Sequence, residues 1–586
     1  MRPVARRVFL ILAFLKLLAS GTYCLLVAAL MSFASPSDTI KYQVYAMKTY
    51  SFGTYAACGL LHWLGALHIL CGRRPTSCRL NFLCCRLFVS ASALPWALAA
   101  QFLETLVQLL QAYRLSQHAV NLDIAFVYPM LVGLSTAVSP WFFLFTDPFV
   151  HRDLWLLFNC LLSFVLASGL YLVAFVPPLL SLKFGDPRQI FSMAWTTEYT
   201  LLTRYIVPVS AIDLAEKAAL FGLSWFNAQR LVTNTHRRHA VVPLHRGPTR
   251  VTIRSKPRAF RILLWCNLLL GSTIVVAAVF NVVRAPACPD GCLLATHPWF
   301  AAQCECAYYH LRCQPPTVSP NFTHLLSPAR LGTQLFYLHV TECPLVFGFD
   351  VSHLVPFEQL FGLTIEFSDM TTWELDSEWP DSVLAIEVRY SNLSHIPPAL
   401  LKLPPDCTVL TLAFGNNMSV LPTTLVPSWQ TLSRLVLNGN QLTALPSWFN
   451  QLQELERIVV SSNRFIELPE AALATLPVLT HFEAAQNALV AFPKTLLAAH
   501  QVAFVDVSNN PIAETPTSDV LGAIAARRVL ADGTPVCTGA RPLEGCQEVC
   551  ADSCSNFERG DRICQANCLH EACDWDATDC ANGGSQ

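Results

Sequence analysis

Two hydrophobic rhythms divide the chain. Before residue 285 apolar residues run in long blocks, and after it they recur as short alternating pairs. The first block, residues 8–31, reads VFLILAFLKLLASGTYCLLVAALM and holds one charge, Lys16. As a helix it is long enough to cross a hydrocarbon core about 30 Å thick. It outruns the apolar core of an ordinary signal peptide, so it is read as a span; cleavage would leave the later topology unchanged. Comparable blocks follow at about 51–71, 83–108, 123–146, 153–177, 198–227 and 260–284, which makes seven expected spans. The sixth carries Arg204, Asp213, Glu216 and Lys217, of which Asp213 and Lys217 are spaced to pair on one helical face. On the third, Gln101, Glu104, Gln108 and Gln111 share a face. That face either lines a polar path through Glu104 or belongs to a helix that leaves the membrane near Leu103 and continues along the interface; the second, plainer alternative is preferred.

Loop charge gives an expected orientation. The basic connections are RPVARR at the start, CGRRPTSCR after the second span and the loop 228–260 before the last. Basic loops stay cytoplasmic, which places the amino terminus inside and everything after about residue 285 outside, at the plasma membrane. All three N-x-S/T sequons, at Asn321, Asn392 and Asn417, lie in that outer part. The loop 228–260 is a possible docking surface for a cytoplasmic effector, although positive-inside bias accounts for its charge by itself.

Beyond residue 330 the pairs Leu338/Val340, Leu363/Ile365, Ile386/Val388, Leu410/Leu412, Leu435/Leu437, Ile458/Val460, Phe482/Ala484 and Val505/Val507 recur at steps of 23 to 25 residues. The clearest unit, LSRLVLNGNQLTALPSWFNQLQE, resembles the leucine-rich repeat, over roughly residues 331–515. The resemblance implies a curved parallel-β solenoid in which Asn440, Asn463, Asn487 and Asn510 saturate backbone groups between turns. Ser391 takes the asparagine position in one early repeat, and a residue is inserted near Asn416. Side chains flanking each inward pair then face a concave surface. Tyr337, His339, Glu387, Arg389 and Phe504 are among them, and Arg434, Arg457, His481, Glu483 and Asp506 are the expected ligand contacts.

Composition narrows what the chain can be. Of 586 residues, 13% are charged and 53% hydrophobic, and a net charge of −1 gives no reason to expect nucleic acid as a partner. Eight cysteines precede residue 285 and fifteen follow it, as an oxidising exterior favours. Six of them, Cys550, Cys554, Cys564, Cys568, Cys573 and Cys580, have the spacing C-x3-C-x9-C-x3-C-x4-C-x6-C, and spacing alone leaves fifteen pairings open. With ACDWDATDC this stretch looks like a Lin-12/Notch repeat (LNR). That resemblance implies Cys550 with Cys573, Cys554 with Cys568 and Cys564 with Cys580. It also implies a calcium ion held by Asp561, Asp576 and Asp579, with Ala577 and Thr578 where the family has glycines. Hard oxygen ligands suit calcium, whereas an EF-hand lacks its glycine here and has Ser585 in place of its glutamate. The alternative is a disulfide knot whose aspartates are merely exposed.

Cys537 and Cys546 are expected to pair beyond the last repeat. Cys288, Cys292, Cys304, Cys306 and Cys313 crowd the segment before the first; their odd number requires Cys407 or Cys343. Cys343 occupies an asparagine position, where the repeat consensus accepts a buried free thiol. The expected organisation is therefore a multi-pass helical membrane domain (1–284), a cysteine-rich cap (285–330), the repeats (331–515), a second cap (516–546) and the Notch-type module (547–582). No catalytic motif stands out, so no enzyme is expected. The combination implies a cell-surface recognition or receptor-like protein that binds an extracellular protein or other ligand. The alternative is a channel or transporter with a regulatory ectodomain.

Overall fold

The computed structural model describes residues 3–34, 47–71, 94–145, 153–184, 192–237, 258–313, 320–422, 426–539, 543–551, 554–560, 565 and 568–577. The chain divides into two compact units: a mainly helical one, comprising Met1–Gly185, Glu198–Pro286 and Thr296–Ala302, and a second comprising Asp186–Thr197, Ala287–Ala295 and Gln303–Gln586.

The helical unit is built from α1 (Pro3–Phe33), α2 (Lys48–Cys71), α3 (Leu94–His118), α4 (Leu122–Val138), α5 (Trp155–Phe164), α6 (Leu170–Phe184), α7 (Met193–Ile206), α8 (Ala211–Arg237) and α9 (Arg258–Val283). A π-turn, Val165–Gly169, joins α5 to α6. Asn121 starts α4 by accepting hydrogen bonds from the Asp123 and Ile124 amides at 3.0 and 3.2 Å. Glycine lets α4 and α9 approach closely: a Cβ on Gly271 would lie 2.5 Å from the Gly133 carbonyl oxygen.

Among the described residues four helical stretches are long and apolar enough to cross a membrane: Arg6–Phe33, Leu122–Phe142, Trp155–Pro178 and Leu264–Val283. The count falls short of seven because His62, His68 and small polar residues lower the hydropathy of α2, and charged and amide side chains that of α3, α7 and α8. The expected third span shifts to Leu94–His118, and residues 83–93 lie outside the described part. The expected sixth span is two helices. Pro208 cannot donate to a helical hydrogen bond and disfavours helical geometry at Val207, and the chain breaks between α7 and α8. Side chains satisfy the exposed helix ends. Tyr55 donates to the Ile206 carbonyl, Lys217 reaches the Arg204 carbonyl at 3.5 Å, and Asp213 accepts from the Val209 amide at 3.2 Å. Lys217 and Asp213 also pair at 2.7 Å.

The second unit contains an eleven-stranded sheet in chain order: β1 (Cys292–Thr296), β2 (Glu305–Arg312), β3 (Tyr337–Thr341), β4 (Gly362–Glu366), β5 (Ala385–Arg389), β6 (Val409–Ala413), β7 (Arg434–Val436), β8 (Arg457–Val459), β9 (His481–Glu483), β10 (Phe504–Asp506) and β11 (Val529–Leu530). From β2 to β11 neighbours run parallel, and the register aligns Leu338, Leu363, Ile386, Leu410, Leu435, Ile458 and Phe482 in one inward row. Each of those side chains is 0% exposed. Burial of such a residue stabilises by about 1.5–3 kcal/mol, which is why a period of short apolar pairs suffices to stack the turns.

Asparagines tie one turn to the next. Asn463 accepts from the Leu442 amide at 3.0 Å and donates to the Leu437 and Val460 carbonyls at 2.8 and 3.0 Å. Asn510 repeats the pattern, with the Leu489 amide at 3.0 Å and the Ala484 carbonyl at 2.9 Å. Where asparagine is missing, Ser368 and Ser391 bond each other at 2.7 Å. This region resembles leucine-rich repeat solenoids, and both caps add strands to its sheet.

The amino-terminal cap closes with Cys288–Cys304, Cys292–Cys306 and Cys313–Cys343. Cys343 is therefore not the free thiol its repeat position implied: the end of β2 lies beside it, and Cys313 supplies the partner. Cys407, by contrast, is a buried free thiol among the described residues of the second unit.

Candidate functional site

The concave face of the sheet has three zones. At its amino-terminal end polar side chains bind one another. Tyr308 bonds His339 at 3.0 Å, His310 bonds Thr341 at 2.8 Å, and Arg312 grips Glu342 through two bonds of 2.7 Å. The His310 and His339 rings stack at 4.6 Å. Glu366 receives His339 and Arg389, each at 3.2 Å, and Arg389 also holds Glu387. Burial alone would raise the Glu366 carboxyl, but these two partners outweigh it and hold it at about 2. Burial, with His339 alongside, pushes the His310 imidazole down to about 4, so it is neutral at physiological pH. Such a network is internally satisfied and rigid.

A ridge of aromatics borders this zone. Phe367, Tyr390 and Phe414 follow their strands with positive φ of 50°, 52° and 50°, and their rings stack in turn at 4.6 and 5.3 Å. Phe367 remains 51% exposed. Left-handed backbone at bulky residues costs on the order of 1 kcal/mol each and is held here by the sheet. The ridge was missed in the sequence, although aromatics recurring at steps of 23 and 24 residues were its signal.

The middle zone is basic. Arg434, Arg457 and His481 align on β7, β8 and β9. Arg434 and His481 are exposed, Arg457 less so.

The third zone is covered. Glu483 and Asp506, expected as open ligand contacts, are buried at 4% and 2% exposure, and the carboxy-terminal segment bonds Asp506 and its neighbours. Ser555 donates to Asp506 at 3.1 Å, Asn509 donates to the Cys554 carbonyl at 3.1 Å, and Gln486 donates to Glu558 at 3.2 Å. Phe557 stacks near Phe504 at 5.3 Å and lies 5.6 Å from the Arg457 guanidinium. Burial pushes the Glu483 carboxyl up to about 7, against the pull of Arg457 at 2.7 Å and with Asp506 adding to the rise. Asp506 is also raised by burial, although it accepts from the Ser508 amide at 2.8 Å.

In the knot itself Cys550–Cys573 and Cys554–Cys568 are bridged, and Cys537–Cys546 closes the cap before it. Asp561, Cys564, Asp579 and Cys580 lie outside the described residues. Asp576 is wholly enclosed and accepts from the Gly560 and Gln565 amides at 3.1 and 2.9 Å. Asp574, Trp575, Asp576 and Ala577 all have positive φ, so the loop winds left-handed without the glycines that would ease it. Each Asp576 oxygen thus accepts from a backbone amide of the module. Asp574 turns away to Arg559 at 2.5 Å.

In the helical unit Glu104, Gln108 and Gln111 are buried, so the polar face of α3 turns toward neighbouring helices. Glu104 accepts from Asn227 on α8 at 2.8 Å and from Gln108 at 3.3 Å; Gln111 donates to Tyr171 at 2.5 Å. Lys16 donates to the Ser224 carbonyl.

These features define a chain with two parts: helices able to cross a membrane, and a leucine-rich-repeat-like solenoid with a disulfide-rich carboxy-terminal end. No family model matches the sequence, and no curated protein matches it. Solved structures do match, among them two leucine-rich repeat proteins. The TLR13–ssRNA13 complex shares 15% identity over 36% of this chain and 30% of that one, with a TM-score of 0.31. An internalin, inlF, from Listeria monocytogenes shares 16% identity over 39% of this chain and 70% of that one, with a TM-score of 0.29. The match to the first thus spans under a third of its length.

Proposed function

We propose that this chain is a cell-surface recognition or receptor-like protein of the plasma membrane. Its solenoid lies outside the cell and binds a protein, while the helical unit anchors it with the amino terminus in the cytoplasm. The observation that carries this is the 51% exposed Phe367 ring at the end of the aromatic ridge, on the same sheet as the exposed Arg434: a large apolar ring left in solvent on a sheet that also presents an exposed guanidinium marks a binding surface. Asn321, Asn392 and Asn417 are exposed and would carry glycans outside. A cytoplasmic effector would meet the basic loop 228–260, of which residues 238–257 lie outside the described part. No enzymatic activity is assigned.

A binding screen with the full-length protein on cells tests this. Phe367→Asp is expected to lower capture of the identified partner at least tenfold while surface display is unchanged; unchanged capture by that variant and by Tyr390→Ala would refute the assignment. The transporter alternative gains from one observation, the buried Glu104–Asn227 pair, since an ionisable group inside a membrane bundle is functional by default. Under it Glu104→Gln alters ion flux and leaves partner capture intact.

The carboxy-terminal module is assigned as a Notch-type repeat in which Asp561, Asp576 and Asp579 would hold one calcium ion; when bound, the ion would neutralise their mutual repulsion. Oxidative refolding of the chain with calcium is expected to give one disulfide isomer of the module, and without it several, as peptide mapping would show. Asp576→Ala should give the mixture even with calcium. Calorimetry that detects no calcium uptake by the correctly bridged protein would remove the metal.

A further inference from the structure

We infer that Arg434, Arg457 and His481 form a subsite for a carboxylate side chain of an acidic protein segment; the inference rests on the recognition role proposed above and names the chemistry of its ligand. Arg434 faces Arg457 in register, and Arg457 faces His481. Strands lie about 4.8 Å apart, and like charges set side by side on them oppose folding. The row is discrete: toward the amino-terminal end the same register continues through Val409 and Ala385, which are neutral.

The chain compensates this charge only in part. Arg457 gives one edge to Glu483 at 2.7 Å, while its Nε is enclosed with no hydrogen-bond partner. Arg434 is exposed and makes no hydrogen bond or ion pair among the described residues. The acids nearest it are Glu387, Glu456 and Glu483. Glu387 is already bound by Arg389 and Glu483 by Arg457. A guanidinium so placed retains its capacity for a bidentate carboxylate, and the single-contact Arg457–Glu483 ion pair shows that a carboxylate can lie against this row.

The flank favours a charged ligand. The Phe557 ring lies 5.6 Å from the Arg457 guanidinium, and Phe504 lies 5.7 Å from the His481 ring. These rings exclude water from one side of the row, where a charge pair is stronger than in open solvent. His481 is held low by burial and by the two arginines, and a bound carboxylate would reverse part of that fall.

The test is fluorescence anisotropy of a fluorescein-labelled hexaglutamate peptide with the detergent-solubilised full-length protein. Arg434→Gln is expected to weaken binding at least tenfold and Arg434→Lys much less. Arg389→Gln, whose charge is spent on Glu366 and Glu387, is expected to change it little. Millimolar sulfate or phosphate should compete only weakly; strong competition would reassign the row to a sulfate- or phosphate-bearing ligand. Absence of peptide binding to the wild type, or binding undiminished in Arg434→Gln, overturns the subsite. The recognition role is separable. A partner lost on Phe367→Asp and kept on Arg434→Gln refutes the subsite alone, whereas one kept by both variants refutes the recognition role as well.

Discussion

Cys313→Ser is expected to lower the stability of the solenoid by about 3–4 kcal/mol. The bridge to Cys343 closes a loop with a sequence separation of 30, and the loop-closure entropy returned to the unfolded chain on its removal is of that size. The same bond holds the two-stranded cap against the first repeat, where Leu338 and Val340 begin the core. Its loss should therefore loosen the amino-terminal end first. A thermal scan of the detergent-solubilised protein should show the solenoid transition about 10 °C lower, with hydrogen exchange rising earliest in β2 and β3. Cys407→Ala is the control. That thiol is buried and unpaired, so its removal costs only a small cavity, about 1 kcal/mol. Equal effects of the two substitutions would show that the Cys313–Cys343 bond contributes nothing beyond packing.

Acidification from pH 8 to pH 5 is expected to tighten the carboxy-terminal segment onto the concave face. The sign follows from Glu483, whose carboxyl burial raises from its ordinary 4.5 to about 7 in the structure that holds the segment against Asp506 and Gln486. A group raised in the closed state stabilises that state fully below its exposed value and loses the contribution as pH climbs through the raised one. Asp506, raised by burial as well, acts in the same direction. Arg457, Arg434 and Asp532 also act on these carboxylates, Glu558 bonds the neighbouring Gln486, and His481 stands on the strand of Glu483. His481 lies on the neighbouring strand position, and its protonation at low pH would add charge beside two arginines, which opposes the trend modestly. Glu483 alone should strengthen closure by at most about tenfold per pH unit between pH 7 and 5, the limit for one proton. Hydrogen exchange at residues 554–558 reads it directly, and Glu483→Gln should flatten the profile. Protection that rises with pH instead would contradict this assignment.

Where the pattern is local and repeated, the sequence by itself determined the outcome. Apolar pairs at steps of 23 to 25 residues specify the inward row of the sheet, and Asn440, Asn463, Asn487 and Asn510 specify the ties between turns. Both follow from a period that each repeat carries within itself. The break at Pro208 was legible too, because a residue without an amide donor stood inside an apolar block, but hydropathy averaged over the block concealed it. Tertiary structure alone decided the rest. That Cys313 takes Cys343, that Glu104 meets Asn227 inside the helices, and that residues 554–558 reach Asp506 and Gln486 are contacts between groups far apart in the chain. Spacing encodes which face a side chain takes on its own element. It does not encode which distant element will cover that face, because that depends on the relative burial energies of all the surfaces that compete for it.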